Sequence, residues 1–521
     1  MLAPTATQPT NPAPALSLTP APPGGPATIQ GWNGCRLEHP ERLSSVEAQC
    51  ATLWVPLDRD AAAAGTGALA RTGVAVATAA RTDIAASTGT PAGSAGITLK
   101  IARVPALNRR STAAPLFLLA GGPGQSAIDL YAAFAAAYSR IHLNRDIVLV
   151  DQRGTGSSSP LPCKFPEDWD AADNTPAAIA EATRRCLSEL GPKVRYFTTA
   201  AAVRDLEDVR RALGLAQIDL YAASYGTRVA ESYVRDYPQR VQAMILDGVI
   251  DPEQAVGPST PLDGERALES ILGRCRATLD CARAYPDLQS EWLQLKARFG
   301  ATKVSVTLPG TSAQEAQSLE FDRSMFGAAL RLLSYSGVES SLMPYLLHQT
   351  YQGNVLPLAS LAVRTARKVG DQLALGMQNS VICSEDWPLI AARGFDRAPL
   401  QRTYLGTDQL DALAQICAIW PRGPVSPKLH APLRSAVPTL LLSGEADPVT
   451  PPVAAERVAR LLSRSRHLVL AGEGHGQLAT GCMPRLMAAF LDRPDPAALD
   501  TDCLKQHRPA PFFISINGPS P

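Results

Sequence analysis

Ile218-Asp219-Leu220-Tyr221-Ala222-Ala223-Ser224-Tyr225-Gly226 is a short apolar run that ends on a serine set among small residues. Ile218 and Leu220 read as a buried strand. Thr227 to Tyr237 reads as a helix, with Val229, Tyr233 and Tyr237 at helical spacing. A strand that turns sharply into a helix through a serine lifts that hydroxyl above the sheet, provided the residues two before and two after it are small. Here they are Ala222 and Gly226, with alanine where the commoner pattern carries glycine. The stretch alone does not separate a nucleophile from an ordinary strand-helix turn, so the rest of the chain has to decide.

At 521 residues and 45% hydrophobic content the chain can bury a large core. Its net charge of +1 comes without basic clusters, which excludes a nucleic-acid or membrane-surface partner as the expectation. No apolar run approaches the roughly 18 residues that span a bilayer. None of the ten cysteines falls in a Cys-x-x-Cys or zinc-like array, and no metal or cofactor site is expected. Their even number points to disulfides and to the periplasm or the outside of a bacterial cell. Buried free thiols are the alternative. Neighbour pairing would join Cys35–Cys50, Cys163–Cys186, Cys275–Cys281, Cys383–Cys417 and Cys482–Cys503, a connectivity that spacing cannot settle. No export signal is visible at the N-terminus.

Taken in order, residues 1–30 read as a disordered Pro-rich tail. A first α/β section covers 31–252, with strands at Ala51–Leu57 and Ile97–Val104 joined through a flexible Ala/Gly/Thr-rich insertion, 61–96. Strands at Leu116–Ala120, Ile147–Val150 and Ala243–Leu246 then alternate with helices, among them one that Thr199 caps and that runs to Leu213. Continuous apolar strands alternating with amphipathic helices imply a mostly parallel sheet covered by helices on both faces. Residues 253–430 read as a mainly helical cap with one strand, Val304–Leu308. The sheet resumes over 431–505 with Thr439–Leu442 and His467–Leu470, and 506–521 is a C-terminal tail. A cap inserted between strands of a parallel sheet would roof a site at the strands' carboxyl ends.

A serine hydroxyl needs a base, itself oriented by a carboxylate. After Leu442 comes Ser-Gly-Glu445-Ala-Asp447-Pro, and after Leu470 comes Gly-Glu-Gly-His475-Gly. Asp447 and His475 therefore follow Ser224 in the order acid then base, each at a strand end, and Glu445 is a rival acid. Gly121-Gly122-Pro123-Gly124 follows an early strand, so the backbone N–H groups of Gly122 and Tyr225 are the expected oxyanion donors. With no Gly-Lys-Ser/Thr following it, that loop does not read as a phosphate cradle. Arg153 reads as a structural ion-pair partner beneath the turn.

These motifs, with Asp151-Gln-Arg-Gly-Thr-Gly156 and Ser224-Tyr-Gly-Thr227, resemble the α/β-hydrolase serine aminopeptidases: the proline iminopeptidases and, closer, the secreted bacterial tripeptidyl aminopeptidases. Val55-Pro-Leu-Asp58, Ile382-Cys383 and Cys417 with Trp420 are similar to the tripeptidyl branch. The resemblance spans about residues 45–505 and implies an α/β-hydrolase fold with an inserted helical cap. It also implies a serine hydrolase that releases N-terminal residues or tripeptides through an acyl-enzyme. Ala120 stands where proline iminopeptidases carry histidine, so strict proline specificity is not implied. An esterase or small-molecule amidase is the alternative function, and a binding protein without catalysis the third. The expected partner is a peptide or small-molecule substrate, and the oligomeric state is unknown. An exopeptidase also needs a carboxylate for the substrate's α-ammonium. Cap acids hold that amine in the resembling iminopeptidases, which points to Glu385 and Asp386. The competing reading makes these two the start of a surface helix.

Overall fold

The computed structural model describes residues 19–20, 28–60, 95–163, 175–310 and 316–519. Most of the Pro-rich tail and of the 61–96 insertion therefore lies outside the described residues. The main sheet runs β12-β11-β8-β7-β5-β6-β4-β3-β2, with β1 against β4. In chain order these strands are Thr19–Pro20 (β1), Gln30–Glu38 (β2), Ser45–Pro56 (β3), Ala95–Val104 (β4), Leu116–Leu119 (β5), Ile147–Val150 (β6), Ile218–Ala223 (β7) and Val241–Asp247 (β8); Thr439–Gly444 (β11) and Ser465–Leu470 (β12) complete it. From β6 through β12 every neighbouring pair is parallel. The β2, β3, β4 and β6 edge is antiparallel.

The central strands carry no polar face because both faces are covered. Side chains alternate across a strand, so Phe117, Val148, Leu220 and Met244 enter one core. Leu116, Leu118, Leu149 and Tyr221 enter the other. Strand order reverses at β5, which lies between β6 and β7. Such a reversal opens a crevice at the strands' carboxyl ends. The Gly121–Gly124 loop leaves β5 there, and Ser224 leaves β7.

Between β8 and β11 lies the helical insert, with one small hairpin, Val304–Leu308 (β9) against Gln317–Phe321 (β10). Its first part has its own core around Trp292, Phe299, Phe326 and Leu330. Its last part does not stand apart: Met377, Val381, Cys383 and Trp420 pack into the core under the sheet. Helices at Leu288–Ala301, Leu356–Gln372 and Leu375–Val381 and strands β2 and β10 were not expected from pattern.

The ten cysteines form the five neighbour pairs named above, a state that belongs to an oxidising compartment. No helix among the described residues is long and apolar enough to cross a membrane. The C-terminal segment is applied to the insert: Phe512 is buried, the Arg274 guanidinium lies 3.8 Å from its ring centroid, and Tyr285 donates to the Phe513 carbonyl.

Candidate active site

Ser224 follows β7 with φ 53° and ψ −122°, and the helix Tyr225–Asp236 begins at the next residue. A positive φ at a residue with a side chain costs on the order of 1–3 kcal/mol, so the surroundings must hold it. The Ser224 N–H donates to the Asp247 carbonyl at 2.8 Å, and the Ser224 carbonyl accepts from the Thr227 N–H and hydroxyl. Gly226 has to be glycine, because a Cβ there would strike the Leu119 and Ala120 carbonyl oxygens at the end of β5. Ala222, two residues before the serine, is fully buried between β5 and β8 and its methyl is accommodated. The turn therefore closes without the first glycine of the commoner pattern.

The structure brings together Asp447 and His475, the expected acid and base. His475 Nδ1 lies 2.8 Å from Asp447 Oδ2. Asp447 is fully buried; its Oδ1 accepts the Val449 and Thr450 N–H groups and its Oδ2 the Thr450 hydroxyl. Burial pushes its carboxyl up, but the charge and hydrogen bond of His475 and those N–H groups outweigh it and hold it below the usual carboxylate range. An ionised Asp447 only accepts, so Nδ1 carries the proton and Nε2 is left with its lone pair, as a general base requires. Burial opposes charging His475; the charge and hydrogen bond of Asp447, then the charge of Asp247, overcome this and raise it above its ordinary value. Glu445, the rival acid, turns away and accepts the Gly472 N–H at 2.8 Å, bracing the histidine loop. Among the described residues Ser224 Oγ has no hydrogen-bond partner; such contacts commonly tighten only with substrate bound.

Asp247, at the end of β8, joins the two halves. Its carbonyl holds Ser224, while its buried carboxylate accepts the Gln477 and Leu478 N–H groups and the Tyr221 hydroxyl. Burial pushes it up to about 6 against those donors, so it is largely charged at neutral pH.

Gly122 and Tyr225 both border the cavity beside Ser224. As the first helical residue, Tyr225 has an N–H with no intrahelical acceptor. Its side chain is fixed elsewhere, its hydroxyl bonded to Thr199 and Gln152. Arg153 makes the structural ion pair expected of it, bidentate to Asp205 and fully buried.

Glu385 and Asp386 lie in the last part of the insert. They sit in a buried π-helical turn, Ile382–Asp386, and do not start a surface helix. Glu385 accepts both the Thr199 N–H and its hydroxyl, at 2.6 and 2.7 Å. The capping group of the Thr199–Ala212 helix is thus a carboxylate from the insert and not Thr199 itself. Burial pushes Glu385 up to about 7, opposed by Arg228 and the Thr199 bonds. Asp386 does border the cavity, but it is bidentate to Arg228, at 2.8 and 2.9 Å, and also accepts the Val256 N–H. Asp251 on the same wall is bonded to Arg457 and the Glu253 N–H. Asp263 is the wall carboxylate with no ion pair among the described residues. Arg228, Asp251 and Asp263 carry no local sequence signal, since each is defined by neighbours distant in the chain. Thr450 does carry a local signal, three residues after Asp447 in the same turn.

Glu231, one turn beyond Arg228, is 1% exposed, and neither carboxylate oxygen has a hydrogen-bond partner among the described residues. Burial, with Asp251 adding and Arg235 and Arg228 opposing, pushes it up to about 8. The unfolded chain releases this proton near pH 4.3, whereas the folded protein keeps it to about pH 8. Stability from this group is therefore whole below pH 4.3 and is lost as pH rises through that window, by about 1.4 kcal/mol per unit. Glu231→Gln removes the loss. Its melting temperature relative to wild type is expected to rise from pH 5 to pH 8; a constant difference across that range would contradict a neutral buried Glu231.

A strained serine, a histidine with one free ring nitrogen, a buried aspartate and two backbone N–H groups define the architecture of a serine hydrolase. The chain belongs to the alpha/beta hydrolase fold family, whose model matches residues 114–481. It is 25% identical over 498 residues to serine protease Hip1 of Mycobacterium tuberculosis, with 88% of each chain covered. It is 25% identical over 426 residues to the tripeptidyl aminopeptidase of Streptomyces coelicolor, covering 75% of this chain and 76% of that one. Carboxylesterase B of M. tuberculosis is 29% identical over 285 residues, 50% of this chain and 47% of the relative.

Proposed function

We propose that the protein is a serine aminopeptidase of the periplasm or the cell exterior, releasing N-terminal residues or tripeptides through an acyl-enzyme. The observation that carries this reading is Ser224, strained and exposed to the cavity under the insert, on the same strand ends as the His475–Asp447 pair. Ser224 Oγ attacks the scissile carbonyl while His475 Nε2 takes its proton. The Gly122 and Tyr225 N–H groups receive the negative charge on the carbonyl oxygen. The tetrahedral intermediate collapses, the C–N bond breaks, and the imidazolium returns the proton to the leaving amine. Water, deprotonated by the same nitrogen, then hydrolyses the ester. Two relatives with peptidase names support this substrate class, and the five disulfides support the compartment. Carboxylesterase B, similar over half the chain, favours the second reading, an esterase or small-molecule amidase. Turnover of aminoacyl and tripeptidyl anilides beside short-chain esters separates the two; ester turnover alone would overturn the first.

The reading requires a group for the substrate's α-ammonium. With Asp386 committed to Arg228 and Glu385 to Thr199, Asp263 is the carboxylate left for it. Burial raises Asp263 against the Ser259 hydroxyl and Arg266, and Asp447 adds to the rise; an arriving cation relieves this. Asp263→Asn is expected to lower kcat/KM on free-amine peptides by about 10–100-fold, an ion-pair loss in a partly desolvated site, and to leave neutral esters unchanged. Equal cleavage of an N-acetylated peptide by wild type would rule out an amine site.

A further inference from the structure

The loop that carries His475 is held from two sides, and one of them is the insert. Helix Arg323–Leu333 ends at Ser334, and the chain passes through Tyr335 directly over the loop. The His475 N–H donates to the Tyr335 carbonyl at 2.8 Å. The Tyr335 ring stands against the imidazole, centroids 5.1 Å apart at 70°. Gly474 is glycine because a Cβ there would run into the Ser334 and Tyr335 carbonyls. On the other side, a Cβ at Gly444 would meet the Gly474 and Glu473 carbonyls. Arg331, one turn back on the helix, donates to the Tyr335 hydroxyl at 3.1 Å, which fixes the ring's tilt.

We propose that Tyr335, held by Arg331, is a positioning residue for His475, so that seating of the helical insert sets the geometry of the catalytic base. Asp447 and Thr450 hold the imidazole at one ring nitrogen, and Gly248 lies so close that a Cβ there would strike the ring edge. The Tyr335 ring stands against the imidazole, and the Tyr335 carbonyl fixes the height of the backbone. A catalytic group misplaced by about 1 Å costs on the order of 10²-fold in rate. The inference rests on His475 being the base for Ser224.

The groups facing His475 are Asp447 and Thr450 from the loop after β11, Asp247 from β8, and Tyr335 and Arg331 from the insert. Burial disfavours the imidazolium, the two aspartates favour it, and Arg331 disfavours it. The base works when neutral, so activity is lost as pH falls through its titration. Removing Arg331 lets that titration rise and moves the acid limb of kcat/KM to higher pH.

The test is the rate of fluorophosphonate labelling of full-length wild type, Tyr335→Leu, Tyr335→Phe and Arg331→Met. It is read beside kcat and KM per titrated site on a neutral ester, and beside melting temperature. Tyr335→Leu is expected to label about 10–100-fold more slowly and to lose kcat by a similar factor, with KM within about twofold. Tyr335→Phe keeps the ring and loses less. Arg331→Met shifts the acid limb upward, and this arm holds even where Tyr335→Leu fails to fold. Tyr335→Leu that labels at the wild-type rate, or an unshifted limb in Arg331→Met, overturns the proposal while the serine-hydrolase reading stands. Wild type that does not label at Ser224 removes both.

Discussion

Ser224→Ala is expected to lower kcat by about 10⁴–10⁶-fold on every substrate, the loss that follows removal of an activated nucleophile. Folding is expected to survive. The backbone bonds that hold the turn, to the Asp247 carbonyl and from Thr227, do not involve the hydroxyl. The side-chain oxygen itself has no partner among the described residues, so its removal leaves no buried group unsatisfied. Alanine keeps the Cβ and with it most of the strain at φ 53°, so the melting temperature should change little. A fluorophosphonate is expected to label wild type at Ser224 and to leave the variant unlabelled. Labelling at another residue, or a variant within about tenfold of wild type, would sink the assignment.

Asp447→Asn is the second large effect, about 10⁴-fold in kcat, and its direction follows from how the carboxylate is held. Oδ1 accepts two backbone N–H groups, from Val449 and Thr450, so in the variant the amide oxygen stays there. The amide nitrogen is then forced to the Oδ2 position, facing His475 Nδ1. An N–H donor there obliges Nδ1 to accept, and the ring proton moves to Nε2, where a lone pair is needed. The same change removes the main charge raising His475, so the acid limb of the residual activity should move to lower pH. Glu445→Gln is the control. Its amide oxygen can still accept the Gly472 N–H, and the rate should stay within a few-fold of wild type. If Glu445→Gln is the damaging change and Asp447→Asn is mild, the acid has been misassigned.

Much of this was legible in local chemistry. Buried strands betray themselves by continuous apolar runs, so Ile147–Val150 is found at its observed limits, and Val304–Leu308 is found by its alternation of apolar and polar residues. A sharp strand-to-helix turn needs small residues, which marks Ser224. Loops at the ends of the last two sheet strands mark Asp447 and His475 as candidates, and the fold follows from the alternation of apolar strands with amphipathic helices. Strand β2 was missed because its exposed polar sequence, Gln30–Glu38, carries no apolar period and is specified by pairing with β3.

The choice between Asp447 and Glu445 shows where local reading ends. Both acids lie in one turn two residues apart, and only the packing of that turn against the histidine loop sends one to Nδ1 and the other to a backbone N–H. The fate of Glu385 and Asp386 was likewise set at a distance: a helix start 186 residues away takes the first, and an arginine 158 residues away takes the second. Tyr335 has no motif at all; its role depends on where the insert lands. The sequence by itself determined the central strands, the turn that exposes Ser224 and the strand-end loops that carry Asp447 and His475, because each is written in residues within a few positions of one another. Which partner each buried carboxylate takes, and what presses on the histidine, were decided by tertiary structure alone, because a buried charge takes whatever partner the fold brings within hydrogen-bond reach.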